Sequence, residues 1–250
     1  MVRTIAFLAL FSWTSSVEPP PMDIAVDDGC GFGYLKDAKD PDWMALVARG
    51  FSARLVPVRF VPRDIVTSTG GRKRVLQLDS GGKIGPAIFP LFLVRGGPLE
   101  WQANDFVNWY PDGTHRQAGR PEPLGVLFPG ERRTYVYEKC DARALTLYAV
   151  GQASGNGGQM CLENYSLEVE LEDSGTRQTI ASARRVCGPD LPELLWAGDL
   201  DGDEVADLLL RVPVDRDRFD VTLYLSGSRG KGRVFGKSLT RRIPRCLSAD

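Results

Sequence analysis

Short runs of alternating hydrophobic and polar residues recur along most of the chain, separated by loops that contain glycine and proline. A period of two places successive side chains on opposite faces of a strand, whereas a helix needs a period of about 3.6 residues. The clearest runs in the first 150 positions are residues 55–61, 73–78, 87–94, 133–138 and 145–150. Such short strands at close spacing predict an all-β protein, mainly antiparallel and sandwich-like or barrel-like, with very little helix.

Two details modify this prediction. Residues 42–47 follow the pair Asp40-Pro41 and form a short apolar run, and they are the segment for which we expect a helical turn or two. Pro57 lies inside the first predicted strand and Pro62 directly follows it. Because proline has no N–H to donate to a ladder, the two prolines predict that this strand lies at the edge of a sheet.

A hairpin with a disulfide is predicted in the second half of the chain. Residues 161–172 alternate cleanly between hydrophobic and polar, and residues 173–175 (Asp-Ser-Gly) suit a three-residue hairpin loop. Counting back through that loop places Cys161 opposite Cys187. Directly opposed residues have Cβ atoms about 4.5–5.5 Å apart, close to disulfide range, so we predict a Cys161–Cys187 disulfide. The remaining cysteines stay unassigned: Cys30, Cys140 and Cys246.

The most acidic stretch is residues 199–207, Asp-Leu-Asp-Gly-Asp-Glu-Val-Ala-Asp, which we call the aspartate loop. It lies between the apolar runs 194–196 and 208–210. Four aspartates in nine positions repel one another unless a cation offsets their charge, and Ca²⁺ takes six to eight oxygen ligands at about 2.3–2.6 Å. The predicted ligands occupy alternate positions: Asp199, Asp201, Asp203, Val205 through its carbonyl oxygen, and Asp207. The alternative is an acidic, solvated turn that binds nothing.

The spacing does not match an EF-hand, because that loop needs glycine at position 6 and glutamate at position 12. Glu204 and Leu210 stand at those positions. Gly198 to Asp203, followed by Asp207-Leu-Leu-Leu and a second strand at 221–225, resembles the calcium loops of FG-GAP and VCBS repeats. Those repeats form the blades of integrin α-subunit propellers and occur in many secreted bacterial proteins.

This resemblance covers residues 190–226 and implies a structural Ca²⁺ ion in an exported, bacterial-type β protein. The family usually has glycine where Glu204 stands, and glutamate tolerates a left-handed backbone less well than glycine does. The sequence contains one visible copy of the motif, whereas a propeller needs several blades.

The amino terminus has the pattern of a secretory signal peptide, which we place at residues 1–17. Arg3 precedes an apolar run at 5–13, and small residues follow it. That run is shorter than the roughly 20 residues of a transmembrane helix. We therefore expect an extracytoplasmic protein, periplasmic or secreted, without stable membrane insertion. The rest divides into an N-terminal β region (18–120) and a C-terminal β region (121–250) that contains the aspartate loop.

Composition limits the chemistry further. The formal net charge of −1 gives no general attraction to nucleic acid. The single histidine, His115, lies in a turn-like sequence, so histidine-based zinc sites and catalytic triads are disfavoured. Five cysteines in an exported chain favour disulfides. The basic segment 229–245 fits a solvated edge strand or contact with polyanions, and the aspartates at 215–220 alternate with arginines, which predicts an ion-paired turn.

The sequence therefore favours a non-catalytic exported protein with a structural Ca²⁺ loop and a binding or scaffold role toward a protein or glycan that it does not identify. The alternative is an extracytoplasmic hydrolase that cleaves a polysaccharide or cell-wall polymer by carboxylate acid/base chemistry. That mechanism needs two carboxylates about 5–9.5 Å apart. No pair outside the aspartate loop is placed by the sequence, so a non-catalytic role is favoured.

Overall fold

The computed structural model describes residues 22–26, 35, 43–49, 52–66, 70–79, 90–95, 106–109, 125–137, 140–155, 160–187, 191–215, 217–227 and 232–244. These residues form β-strands and no helix, which confirms the predicted all-β class. The strands are β1 (Asp23–Ala25), β2 (Trp43–Arg49), β3 (Ser52–Val66), β4 (Arg72–Asp79), β5 (Pro90–Arg95), β6 (Phe106–Trp109), β7 (Arg132–Tyr137), β8 (Cys140–Ser154), β9 (Cys161–Leu171), β10 (Thr176–Cys187), β11 (Glu193–Asp199), β12 (Asp207–Pro213), β13 (Arg218–Leu225) and β14 (Lys237–Pro244).

The strands pair in antiparallel sheets. A large sheet has the order β1-β5-β2-β3-β6-β11-β12-β13-β14, and β4 pairs with the second half of β3 as a two-stranded ribbon. A four-stranded sheet has the order β10-β9-β8-β7. Because β6 pairs with both β3 and β11, strands from the N-terminal and C-terminal regions belong to one sheet.

The two ends of the large sheet meet. Arg241 of β14 donates from Nη1 to both carboxylate oxygens of Asp23 in β1, at 2.6 Å each. Arg95 of β5 donates to the same carboxylate at 3.2 Å. Hydrophobic side chains from β1, β2, β3, β5 and β11–β14 fill the space that the curved sheet encloses. The large sheet is therefore barrel-like, with its own apolar interior.

A second core lies between the four-stranded sheet and the outer face of the large sheet. Leu208 and Leu210 of β12 pack into this second core, whereas Leu209 points into the barrel interior. All three leucines are fully buried. The continuous apolar run 208–210 thus belongs to a strand covered on both faces.

The β9–β10 hairpin contains the predicted disulfide between Cys161 and Cys187. The predicted three-residue loop is wrong, because the turn has four residues, 172–175, and Thr176 pairs with Leu171. A β-bulge between Thr179 and Ala181 then shifts the register by one residue. The two deviations cancel, so the cysteines are directly opposed as the sequence predicted.

Of two further local predictions, one needs correction and the other is confirmed. The segment expected to be a helical turn forms strand β2, whose alternate side chains enter the barrel interior and a smaller core on the other face. The run 55–61, which was predicted to lie at a sheet edge, forms part of β3 and pairs on one side only among the described residues: 55–58 with β2 and 59–61 with β4. Residues 52–54 of β3, which precede that run, pair with both β2 and β6. Among the strands that the structure describes, Pro57 pairs only with β2 and Pro62 only with β4, which suits a residue that has no N–H to donate to a second neighbouring strand.

Several predictions lie outside the described residues, namely those for the signal peptide 1–17, His115, Cys30 and Cys246. Cys140 belongs to β8. In the part of the chain that the structure describes, no helix is long and apolar enough to cross a membrane.

Candidate metal centre

The aspartate loop connects β11 to β12, two neighbouring strands of the large sheet. Its ends are fixed by the ladder, in which Ala197 pairs with Leu208 and Gly198 with Asp207. Asp199 is the last residue of β11 and Asp207 is the first of β12. The sheet therefore fixes the positions of two of the predicted ligands, whatever the loop between them does.

Three carboxylates converge inside this loop. Asp199, Asp201 and Asp207 each place one oxygen within 4.8 Å of the others, an arrangement that can hold a metal ion. Asp199 is 5% exposed and Asp207 is 0% exposed, while Asp201 is half-buried. None of the ion pairs between described residues involves these three aspartates. Their shared negative charge is therefore not offset by a lysine or arginine of the described chain.

Burial and mutual repulsion raise the pKa values of these carboxyls. Burial, with a contribution from the charge of Asp201, holds the pKa of Asp207 well above its usual value. Burial and the charge of Asp203 raise the pKa of Asp201 to about 6. Burial also raises the pKa of Asp199, against the opposing effect of hydrogen bonds from the backbone. A group of carboxylates with raised pKa values binds either protons or a cation.

Backbone N–H groups fold the loop around its own carboxylates. Asp199 accepts a hydrogen bond from the N–H of Gly202 at 2.7 Å and one from the N–H of Glu204 at 3.1 Å. Asp207 accepts one from the N–H of Leu200 at 2.7 Å. These bonds hold the carboxylates in place and offset part of their charge, since N–H groups donate to the ionised form.

The backbone at Glu204 is left-handed, with φ of 66°. This is the position at which the resembling repeats have glycine, and left-handed geometry costs roughly 1–2 kcal/mol for a residue with a Cβ atom. Gly202, two positions earlier, also has a positive φ, 77°, but without that cost.

Asp203 and Val205 lie beside the convergent group. Asp203 Oδ1 accepts a hydrogen bond from the N–H of Val205 at 2.9 Å, and its carboxylate is not one of the three that converge within 4.8 Å. The carbonyl oxygen of Val205 lies 3.4 Å from the hydroxyl of Ser226. Of the five ligands predicted from the sequence, the structure thus brings the oxygens of Asp199, Asp201 and Asp207 together.

Ser226 and Gly227, which follow β13, also contact the loop and were not identified from the sequence. The N–H of Ser226 donates to Asp207 Oδ1 at 2.8 Å, and the N–H of Gly227 donates to Asp201 Oδ2 at 2.9 Å. A Cβ atom on Gly227 would lie 2.3 Å from Asp201 Oδ2, so this position has no room for a side chain while that carboxylate stays in place. The available sequence signal was a Ser-Gly pair directly after the second strand of the motif.

Other charged candidates are engaged in ion pairs. Arg218 donates to Asp215, and Arg242 donates to both carboxylate oxygens of Asp220 at 2.8 and 3.0 Å. The predicted ion-paired turn is therefore present at Asp215 and Arg218, whereas Asp220 pairs with Arg242 of β14, which lies outside that turn. Arg241 of the basic C-terminal segment is paired with Asp23, so two of the arginines of that segment, Arg241 and Arg242, neutralise carboxylates of this chain.

No family model, no curated protein sequence and no solved structure matches this chain. The resemblance of the aspartate loop to FG-GAP and VCBS repeats therefore rests on the loop residues themselves.

Proposed function

We propose that the aspartate loop is a structural Ca²⁺ site of the FG-GAP/VCBS type in a non-catalytic exported protein with a binding or scaffold role. One observation carries the proposal. Three buried or half-buried carboxylates converge within 4.8 Å, and their charge is not balanced by any ion pair among the described residues. A bound cation supplies that balance without keeping protons on the carboxyls at neutral pH.

The donor chemistry favours Ca²⁺. The convergent atoms are carboxylate oxygens, which suit hard cations. Thiolate and imidazole ligands suit zinc and copper, and no described cysteine or histidine belongs to the convergent group. Ca²⁺ accepts six to eight oxygens in flexible geometry, whereas Mg²⁺ demands near-ideal octahedral geometry. Asp199, Asp201 and Asp207 would hold the ion, with Asp203, the Val205 carbonyl oxygen and water as further ligands.

The place of the loop supports a structural role. The aspartates end one buried strand and begin the next, so an ion between them links β11 to β12 and, through Ser226 and Gly227, to the end of β13. The disulfide Cys161–Cys187 and the signal-like amino terminus support an extracytoplasmic location, periplasmic or secreted. The partner that we propose is a protein or a glycan, because the near-zero net charge gives no attraction to nucleic acid.

Thermal melts with EDTA and with millimolar Ca²⁺ test this function. Extracellular-type sites have dissociation constants of about 10⁻⁴–10⁻³ M, so about 5 mM Ca²⁺ should stabilise the fold by about 1–2 kcal/mol. For a chain of this size that corresponds to a rise in Tm of roughly 2–8 °C.

A pair of charge-matched variants makes the test specific. Asp201→Asn should abolish the Ca²⁺-dependent rise in Tm, because it removes a carboxylate of the convergent group. Asp173→Asn makes the same chemical change in the exposed turn of the β9–β10 hairpin and should keep the rise. Superimposed wild-type melts in EDTA and Ca²⁺ would contradict a bound ion.

A further inference from the structure

Ser226 is a fully buried polar residue at the end of β13 that contacts the aspartate loop across 19 or more positions of sequence. Its hydroxyl oxygen lies 2.9 Å from Asp203 Oδ1, 3.0 Å from Asp207 Oδ1 and 3.4 Å from the carbonyl oxygen of Val205. These three groups are among the five that the sequence singles out as ligands.

A serine hydroxyl has one hydrogen and can donate it to one acceptor at a time. Placed between two carboxylate oxygens, it serves as a shared donor that reduces the repulsion between Asp203 and Asp207. The main-chain N–H of Ser226 adds a second bond to Asp207 Oδ1, at 2.8 Å. Ser226 thus determines where two acidic side chains point without carrying any charge itself.

Gly227 acts on a third aspartate from the same short segment. Its N–H donates to Asp201 Oδ2 at 2.9 Å, and the absence of a side chain lets this carboxylate lie directly over its backbone. Together, Ser226 and Gly227 contact three of the four aspartates of the loop.

From these contacts we infer that Ser226 is a positioning residue of the cation site. We also infer that Gly227, which has no side chain, leaves the space that the Asp201 carboxylate occupies. The inference rests on the proposed Ca²⁺ function. Groups that orient metal ligands typically change metal affinity by roughly 10-fold to 100-fold when they are removed. Part of the Ca²⁺ affinity of the loop therefore comes from the end of β13, which lies outside the acidic motif.

The decisive variant is Ser226→Ala, which removes the hydroxyl and keeps the main-chain N–H. Isothermal titration of the full chain with Ca²⁺ should show binding roughly 10-fold or more weaker than wild type. With Tb³⁺ as a Ca²⁺ substitute, luminescence lifetimes in H₂O and D₂O should show more water molecules on the bound ion, because a ligand that loses its position is replaced by water.

Thr222→Val is the matched control. Thr222 is also buried in β13, but its hydroxyl pairs with that of Thr240 at 2.9 Å and does not contact the loop. This variant should lower Tm and leave both the Ca²⁺ affinity and the hydration of bound Tb³⁺ unchanged. A loss of affinity in Thr222→Val equal to that in Ser226→Ala would mean that any destabilisation of β13 weakens binding, and would overturn the inference.

Gly227→Ala provides a second, independent test should Ser226→Ala fail to fold. Its Cβ atom would displace the Asp201 carboxylate while the serine hydroxyl stays in place, so weaker Ca²⁺ binding is again expected. Wild-type affinity in folded Ser226→Ala, or in Gly227→Ala where the serine variant does not fold, would refute the part assigned to the end of β13 in positioning the carboxylates and leave the proposed Ca²⁺ site standing. Absence of Ca²⁺ binding by the wild-type chain would remove the proposed function and this inference with it.

Discussion

Glu204 occupies the position of the aspartate loop where the backbone conformation is hardest for its residue type to adopt. Its φ of 66° is left-handed, and its carboxylate adds to the negative charge of the loop. Replacing it by glycine removes the steric cost, which is roughly 1–2 kcal/mol, and leaves the chain more freedom in the unfolded state, which opposes the gain. We expect Glu204→Gly to raise the free energy of unfolding by about 1 kcal/mol, measured by urea denaturation in EDTA.

Glu204→Ala separates the effect of the glutamate charge from the cost of the left-handed backbone. It removes the charge but keeps a Cβ atom, so the left-handed conformation stays costly. The glycine variant should therefore be the more stable of the two. Equal gains in both variants would assign the effect to charge and contradict the conformational explanation.

Asp201 makes the stability of the calcium-free protein depend on pH. Its pKa in the folded state is raised from 3.8 to about 6, so the folded state binds this proton more tightly than the unfolded state does. The resulting stabilisation is complete below pH 3.8 and disappears as the pH rises through about 6. In EDTA, Asp201→Asn should thus be more stable than wild type at pH 7.5, by a margin that narrows at pH 5.

Saturating Ca²⁺ at pH 7.5 should reverse that order, because the cation stabilises only the chain that has the carboxylate. Urea denaturation of both proteins at the two pH values in EDTA, and at pH 7.5 in Ca²⁺, provides the measurement. A wild-type protein that stays more stable than Asp201→Asn in EDTA at pH 7.5 would contradict the picture of uncompensated carboxylates.

Sequence spacing was sufficient to find the carboxylates of the site but not the residues that hold them. Alternate aspartates in a loop between two apolar runs point to a shared centre, and three of them converge. Ser226 and Gly227 meet the loop only because β12 pairs with β13 in a register that sets Leu208 opposite Tyr224. That register arises from pairing between strands, and no local pattern in the chain specifies it.

At the scale of elements, the four-stranded sheet is attached to the large sheet by specific hydrogen bonds as well as by the shared core. The hydroxyl of Tyr224 in β13 donates to the carbonyl oxygen of Ile180 in β10 at 2.7 Å. The side-chain oxygen of Gln178 accepts from the N–H groups of Val234 and Phe235, each at 3.1 Å. These bonds cross between elements that do not pair in a ladder.

Tyr224→Phe should measure the strength of this attachment. It removes one hydrogen bond from the interface between the sheets and should lower the free energy of unfolding by roughly 1 kcal/mol. Tyr148→Phe is the matched control, since its hydroxyl donates to Glu168 at 3.0 Å on the outer face of the four-stranded sheet, where water can replace the bond. Urea denaturation should show a clearly smaller loss in the free energy of unfolding for Tyr148→Phe. A larger loss for Tyr148→Phe than for Tyr224→Phe would contradict a stabilising role of the Tyr224 hydrogen bond between the sheets.

The elements themselves were predictable where one face is buried and the pattern alternates, as in the hairpin of β9 and β10. Strand β2 was mistaken for a helical turn because Trp43 through Val47 are all buried, and a strand covered on both faces loses its alternation. The hairpin turn was predicted one residue too short. The bulge between Thr179 and Ala181 has no recognisable sequence signature. The sequence therefore could not show that this bulge would restore the register in which Cys161 lies opposite Cys187.

At the scale of the whole molecule, the aspartate loop lies where the two cores meet. Strand β11 sends Trp196 into the barrel interior and Leu194 and Ala197 into the core beneath the four-stranded sheet. The loop ends are thus fixed by packing on both sides before any ion binds. The sharing of one sheet by the N-terminal and C-terminal regions was not visible in the sequence, because it depends on pairing between distant strands.

If Ca²⁺ is a structural ligand of this loop, the response of the protein to the ion should be local. Ca²⁺ should order the loop and the end of β13 while the arrangement of the strands stays the same. A sensor site behaves differently, because the ion there reorients whole elements and exposes a new surface.

Amide hydrogen exchange in EDTA and in saturating Ca²⁺ tests this claim most directly. The N–H groups of Leu200, Gly202, Glu204, Ser226 and Gly227 donate to loop carboxylates, and their exchange should slow strongly in Ca²⁺. Amides of β7–β10 should slow by no more than the gain in global stability requires. Unchanged exchange at the five loop and β13-end amides in saturating Ca²⁺ would contradict the account.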